Sequence, residues 1–231
     1  ALAAGEQAAE EFLATVPEAG PRRALLAEAT PAWRARLQSL MGDDLASLNT
    51  ANQALAHLQA IEVPADDQLA LRNRDNLVRF ALITSATAAV RLGRYAEAEA
   101  ASRERLAVPP NLDANADPQD ETSRATVLLA HAIAAQGRGA EALELLGPVL
   151  DGYRDERKAG ASGTSFQRDL AYALFVEAIA QPENAAGRAR RAAALTAAQR
   201  EFDALSNEVR QLSDFRALGG WISAERGMPA G

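Results

Sequence analysis

Apolar residues recur along the chain at steps of three and four rather than two, and glycine or proline punctuates them into helix-length blocks. The breaks predicted from these residues are Pro17, Gly20 and Pro21, Pro31, Gly42, Pro64, Gly93, Pro109 and Pro110, Pro118, Gly137, Gly160 and Gly163, Pro182, and Gly219 with Gly220. After Asp43, a plausible N-cap, Leu45, Leu48, Leu55 and Leu58 fall on one helical stripe. A longer pattern from about Asp66 to Leu92 carries Leu69, Leu77, Phe80, Ile83 and Val90, and another from Pro118 to Gln136 carries Val127, Leu128, Leu129 and Ile133. Pro118 after Asp117 suits a helix start, because the first turn needs no N–H from its proline. Further patterns cover Gly139 to Arg157, Ser165 to Ala180, Ala185 to Leu205 and Ser206 to Arg226. The expectation is an all-α fold of nine or ten helices with short connections and no strand, a helical segment over residues 1–65 preceding a region over 66–228.

Composition sharpens this. Hydrophobic residues make up 48% of the chain but aromatics only 5%, and an alanine-rich apolar set favours helices in close approach over a sheet of branched and aromatic side chains. The formal charge of −7 gives phosphate backbones little reason to approach, so no nucleic acid is expected as a partner. Lys158 is the only lysine, which together with the alanine bias matches a GC-rich bacterial genome. The absence of cysteine removes disulfides, thiolate metal sites and cysteine nucleophiles. No apolar run reaches 18 residues and no basic stretch precedes an apolar one after Ala1. The chain is therefore expected not to span a membrane and to be a processed or excised part of a longer protein, in a compartment that its composition leaves open.

The stretch RLGRYAEAEAASRERLAVPPN (Arg91 to Asn111) resembles the second half of a tetratricopeptide (TPR) repeat. Leu92 and Gly93 stand at the inter-helix turn, Tyr95 follows, Ala98 is the small residue, Pro110 closes the hairpin, and Ala86 holds the small position of the first helix. LLAHAIAAQGRGAEALELLGPVL (Leu128 to Leu150) is similar, with Gly137, Ala142 and Ala130 in the same places. Gly93 and Gly137 are 44 residues apart, longer than the usual repeat of about 34, and the surplus falls between Pro109 and Glu121. Gly139 stands where the family has tyrosine, and Leu82 and Thr126 where it has tryptophan. The resemblance implies a TPR-like solenoid of antiparallel helical hairpins with degenerate flanking helices. It also implies a non-catalytic protein- or peptide-binding scaffold, the regulatory or sensory module of a larger bacterial signalling protein.

In that register the groove-facing residues are Phe80, Ile83, Thr87, Val90 and Arg91 on one helix and Arg124, Val127, His131 and Ala134 on the next. The lysines and asparagines with which chaperone-binding relatives hold a terminal carboxylate are missing, so an apolar or mixed segment is the expected ligand. The alternative is a small-molecule sensor with an apolar cavity between its helices.

Other chemistry has plainer readings. Gly137-Arg138-Gly139-Ala140-Glu141-Ala142 fits a dinucleotide fingerprint only if a strand precedes it, and the preceding block is helical. Asp113, Asn115 and Asp117 have calcium-loop spacing, but Pro118 replaces the needed glycine and Arg124 the bidentate glutamate. His57 and His131 lie on separate predicted helices, and no hydrolase, zinc or P-loop motif occurs, so no catalytic residue, metal or cofactor is expected. Arg188, Arg190 and Arg191 read as a solvated helix face. Phe166, Tyr172, Phe175, Phe202, Phe215 and Trp221 read as the core that closes the C-terminal end.

Overall fold

A computed structural model of the chain describes residues 7, 11, 20–109 and 118–227, with the side chains of 118–121 left aside. Among the described residues the fold is all-α, with ten helices of four residues or more and no strand. They are α1 (Pro21–Met41), α2 (Asp44–Ala60), α3 (Gln68–Arg91), α4 (Tyr95–Ala107), α5 (Pro118–Ala135), α6 (Gly139–Lys158), α7 (Thr164–Ile179), α8 (Ala185–Asp203), α9 (Asn207–Arg210) and α10 (Ser213–Glu225). The calcium-like Asp113, Asn115 and Asp117, and Pro110 and Pro17, lie outside the described residues.

Local chemistry sets most boundaries. Gly42 takes a left-handed φ of 84° and ends α1, while Asp43 caps α2 by accepting from the Ala46 N–H at 3.2 Å. Asp67, one residue beyond the expected Asp66, caps α3 through Ala70 at 3.1 Å. The turns after α3 and α5 are built alike. Gly93 and Gly137 have φ of 70° and 81°, and the next residue's N–H returns to the helix, Arg94 to Ala89 O and Arg138 to Ile133 O.

Three sequence expectations are corrected, one of them the break at Gly219 and Gly220, since α10 runs through both glycines. Pro31 does not end a helix, for α1 runs through it. The lost hydrogen bond costs about 3 kcal/mol, yet Leu25 before it and Ala32 and Ala35 after it are all buried, and that packing holds the helix continuous. The block from Ser206 to Arg226 is not one helix. Leu212 is extended between α9 and α10, which lets α10 turn back onto α1.

Each of α1 to α8 packs chiefly on its neighbours in sequence, and the odd-numbered helices α1, α3, α5 and α7 also touch in order, forming a continuous row. Connections as short as three residues oblige α3 and α4, and α5 and α6, to run antiparallel. Alanine makes the approach close: Ala86, Ala88, Ala89, Ala98 and Ala132 are fully buried in one cluster with Leu48, Val90 and Leu128. Ala130 and Ala142 are fully buried in the next cluster. Gly139 has a reason of its own, since a Cβ there would lie 2.3 Å from the Ala180 carbonyl oxygen at the end of α7. No tyrosine fits at that contact. The packing of α2 on α3 also runs across residue 65, where the two segments were expected to meet.

Two pairs of substitutions test this packing through urea midpoints. Ala98→Leu is expected to destabilise by about 1–3 kcal/mol by overpacking, and the exposed Ala100→Leu to stay within about 0.5 kcal/mol of wild type. A Cβ at Gly219 would lie 2.6 Å from Phe202 Cζ, whereas one at Gly220 meets nothing within 4 Å. Gly219→Ala should therefore destabilise, and Gly220→Ala should be neutral or stabilising by about 0.5–1 kcal/mol. Equal effects within either pair would show that the register is wrong.

Candidate functional site

The row of odd-numbered helices is partly covered by α10. At its N-terminal end Asp214 lies between two arginines, taking Arg36 Nη2 at 2.9 Å and pairing with Arg91. Arg91 Nη1 also donates to Ser39 O at 3.1 Å and to Asp44 Oδ1 at 3.0 Å, so one guanidinium ties α3 to α1, α2 and α10. The side chains of Arg91 and Asp214 are only 6% and 8% exposed. Burial alone would raise the Asp214 carboxyl, but the charges of Arg91 and Arg36 and their hydrogen bonds outweigh it and hold the group at about 2.

Two turns further along α10, Trp221 closes an aromatic cage around His131 of α5. Its ring centre lies 5.2 Å from the imidazole, and those of Tyr172 and Phe175 lie at 5.6 Å. His131 Nδ1 is 2.7 Å from Tyr172 Oη, and burial lowers the imidazole to about 4, leaving it neutral near pH 7. The same burial raises the Tyr172 phenol.

A cavity of about 410 Å³, lined by no residue of α10, opens between α1, α3, α4 and α5. Trp33, Leu77, Phe80 and Ile83 give it apolar walls, and Arg36, Arg79, Arg105 and Arg124 bring guanidinium groups to it. Trp33 is 57% exposed, its ring centre 4.6 Å from that of Phe80. A smaller cavity of about 50 Å³ adjoins, sharing Thr87 and Arg124 and bounded by Val90, Arg91, Asp214 and Trp221.

Six of the nine groove residues read from the sequence line these cavities. Phe80, Ile83 and Thr87 face the larger, Thr87, Val90 and Arg91 the smaller, and Arg124 both. Val127, His131 and Ala134 are packed in the core, because α7 and α10 cover that part of α5. Arg91 and His131, expected on an open groove surface, are interior groups. Trp33 and Arg36, three residues apart on α1, escaped notice because Pro31 read as a helix end just before them. Asp214 carried no local signal, since its partners are 123 and 178 residues away in sequence.

The remaining candidates have local explanations. Arg188 donates to the Glu183 carbonyl, Arg190 to Gln181, and Arg191 pairs with Glu183 and Glu225. His57 faces Glu28 at 3.1 Å. Among the described residues no group of three His, Asp or Glu side chains could hold a metal, and no helix is long and apolar enough to cross a membrane. Gly137 follows helix α5, so the fingerprint-like glycines lack the strand that nucleotide binding would need.

The Asp214 cluster makes a pH-dependent prediction. Its folded value lies below that of an unfolded aspartate, so its stabilisation is present above about pH 4 and is lost as pH falls toward 2. Wild type should lose about 2–3 kcal/mol between pH 5 and pH 2 that Asp214→Asn does not lose. Urea midpoints of both proteins across that range would show it as converging curves, and parallel curves would count against it.

The chain matches no protein-family model, no curated protein and no solved structure, so the case for its function rests on its own residues.

Proposed function

We propose that the protein is a non-catalytic binding module, a short TPR-like stack of helical hairpins whose ligand occupies the cleft between α1, α3, α4 and α5. The observation that carries this reading is the cleft itself: about 410 Å³ with apolar walls and convergent polar groups, lined by α1, α3, α4 and α5 and by no residue of α10. The stack reading draws support from the matching turns at Gly93 and Gly137 and the buried pairs Ala86 with Ala98 and Ala130 with Ala142. A non-catalytic role fits the placement of the two histidines, one beside Glu28 and one neutral in an aromatic cage, neither of them lining the cleft. Attachment to a larger bacterial signalling protein belongs to the same proposal.

A second reading, a scaffold for a protein or peptide partner, is favoured by α10. This amphipathic helix lies on the row as a ligand helix would, with Phe215, Leu218 and Ile222 buried and Asp214 between two arginines. A partner helix would take its place.

The readings separate in one experiment. A panel of small aromatic and aliphatic compounds, charged and neutral, is screened by thermal melts and tryptophan fluorescence. The cleft reading expects at least one compound to raise the melting temperature of wild type and perturb Trp33. Ile83→Trp, which fills the cleft, should abolish both effects. Shifts that persist in Ile83→Trp would remove the cleft from consideration. The scaffold reading expects added partner helix to open Trp221 to acrylamide quenching.

A further inference from the structure

We infer that the cleft takes a small amphipathic anion, with a carboxylate or phosphate on Arg124 and an aromatic or aliphatic body against Trp33, Phe80 and Ile83. The inference rests on the cleft reading and adds the chemistry of the occupant.

The charges around the cleft are matched one by one until Arg124. Arg36 has Asp214, Arg91 has Asp214 and Asp44, and Arg168 holds both oxygens of Asp169 at 2.6 and 2.9 Å. Arg79 donates to the Pro109 carbonyl and to Asn76, and Arg105 is engaged as well. Arg124 has no hydrogen bond or ion pair with any described residue, although the chain carries more acidic groups than basic ones. The residue is half-buried and lines both cavities.

A guanidinium set among protein atoms with no partner among the described residues is unfavourable for the folded protein. Burial, followed by the charge of Arg168 and with Arg36 adding to it, pushes its pKa below the ordinary arginine value, and Asp169 and Asp214 offset this only in part. Those two carboxylates are already bound to other arginines. An anion entering the cleft supplies the missing counter-charge where little water screens it, and a planar guanidinium grips carboxylate or phosphate through two parallel N–H groups. The walls ask for the other half of the ligand. Trp33 is a large aromatic left more than half exposed beside Phe80, and a flat or aliphatic body laid there removes that surface from water. A bounded cavity of about 410 Å³, with α10 covering the row beyond it, suits a small molecule better than an extended chain.

The test uses the full chain with 4-phenylbutyrate, its neutral amide and inorganic phosphate as probes, followed by calorimetry, with thermal melts of each variant. Wild type should bind the acid about tenfold or more tightly than the amide, a ratio worth about 1.4 kcal/mol, and more weakly as salt is added. Arg124→Met should abolish that preference. It should also raise the ligand-free melting temperature, by about 2–4 °C for each kcal/mol of unpaired charge removed. Arg124→Lys should keep part of the preference. Equal binding of acid and amide, unchanged in Arg124→Met, would overturn the inference while leaving a neutral-ligand cleft standing. Phosphate binding as tightly as the acid would overturn the amphipathic half. A lowered melting temperature in Arg124→Met would make the residue structural and overturn it too. Failure of both organic probes, with no panel compound sensitive to Ile83→Trp, would remove inference and cleft reading together.

Discussion

The shape of the face that carries the cleft depends on one carboxylate. Asp214 sits between Arg36 and Arg91, and through Arg91 it reaches Ser39 and Asp44, so α10 is held at one point to α1, α2 and α3, more than a hundred residues before it in the chain. With its side chain 8% exposed, the group would be costly to bury without partners. Two guanidinium groups make it tolerable, and the arrangement is directional in a way that apolar packing is not. It fixes where α10 begins its run across the row, and thereby which part of the row is covered and which is left as a cleft.

The packing beneath that point is supplied by alanine. In the buried cluster of α2, α3, α4 and α5 five of the eight residues are alanine, and side chains this small let helix backbones approach closely while contributing little apolar area each. Among the described residues the buried aromatic rings lie in the C-terminal half, where Tyr153, Phe175, Phe202 and Phe215 with Ile222 fill the space between α5, α6, α7, α8 and α10. Polar contacts stitch the exterior: Glu99 of α4 takes Gln136 and Arg138 from the next turn along with Arg103 of its own helix, and Arg138 first among them draws its carboxyl down to about 2. At that level of exposure such pairs add little stability and mainly fix how one hairpin meets the next.

Against this economy Arg124 stands out as a group whose charge no described residue answers with a hydrogen bond or ion pair. Proteins tolerate a local cost of this kind where a ligand later removes it, and the stability forgone in the free state reappears as selectivity in the bound one. The apolar walls of Trp33, Phe80 and Ile83 stand beside that charge in one cleft, which is why the proposed occupant joins an anionic head to an apolar body.

Helical class, most boundaries and the two glycine turns were legible in the sequence, because a period of three to four residues, an N-cap aspartate and a glycine free to adopt positive φ act over one or two turns of chain. The buried alanines were legible for the same reason, since hairpin register is local. That Phe80, Ile83 and Thr87 line one cavity wall followed from that register too, as they lie on one stripe of α3 whatever it packs against. What remained was settled by tertiary structure. Pro31 is carried inside α1 by burial on either side of it, Gly139 is required by the end of a helix met forty residues later, and α10 turns back at Leu212 to reach α1. Whether Arg91, His131 and Arg124 face water, an aspartate, an aromatic cage or an unfilled cleft depends on that last step. No spacing in the chain encodes it, because the energy that selects it comes from charges and apolar surfaces brought together from more than a hundred residues apart.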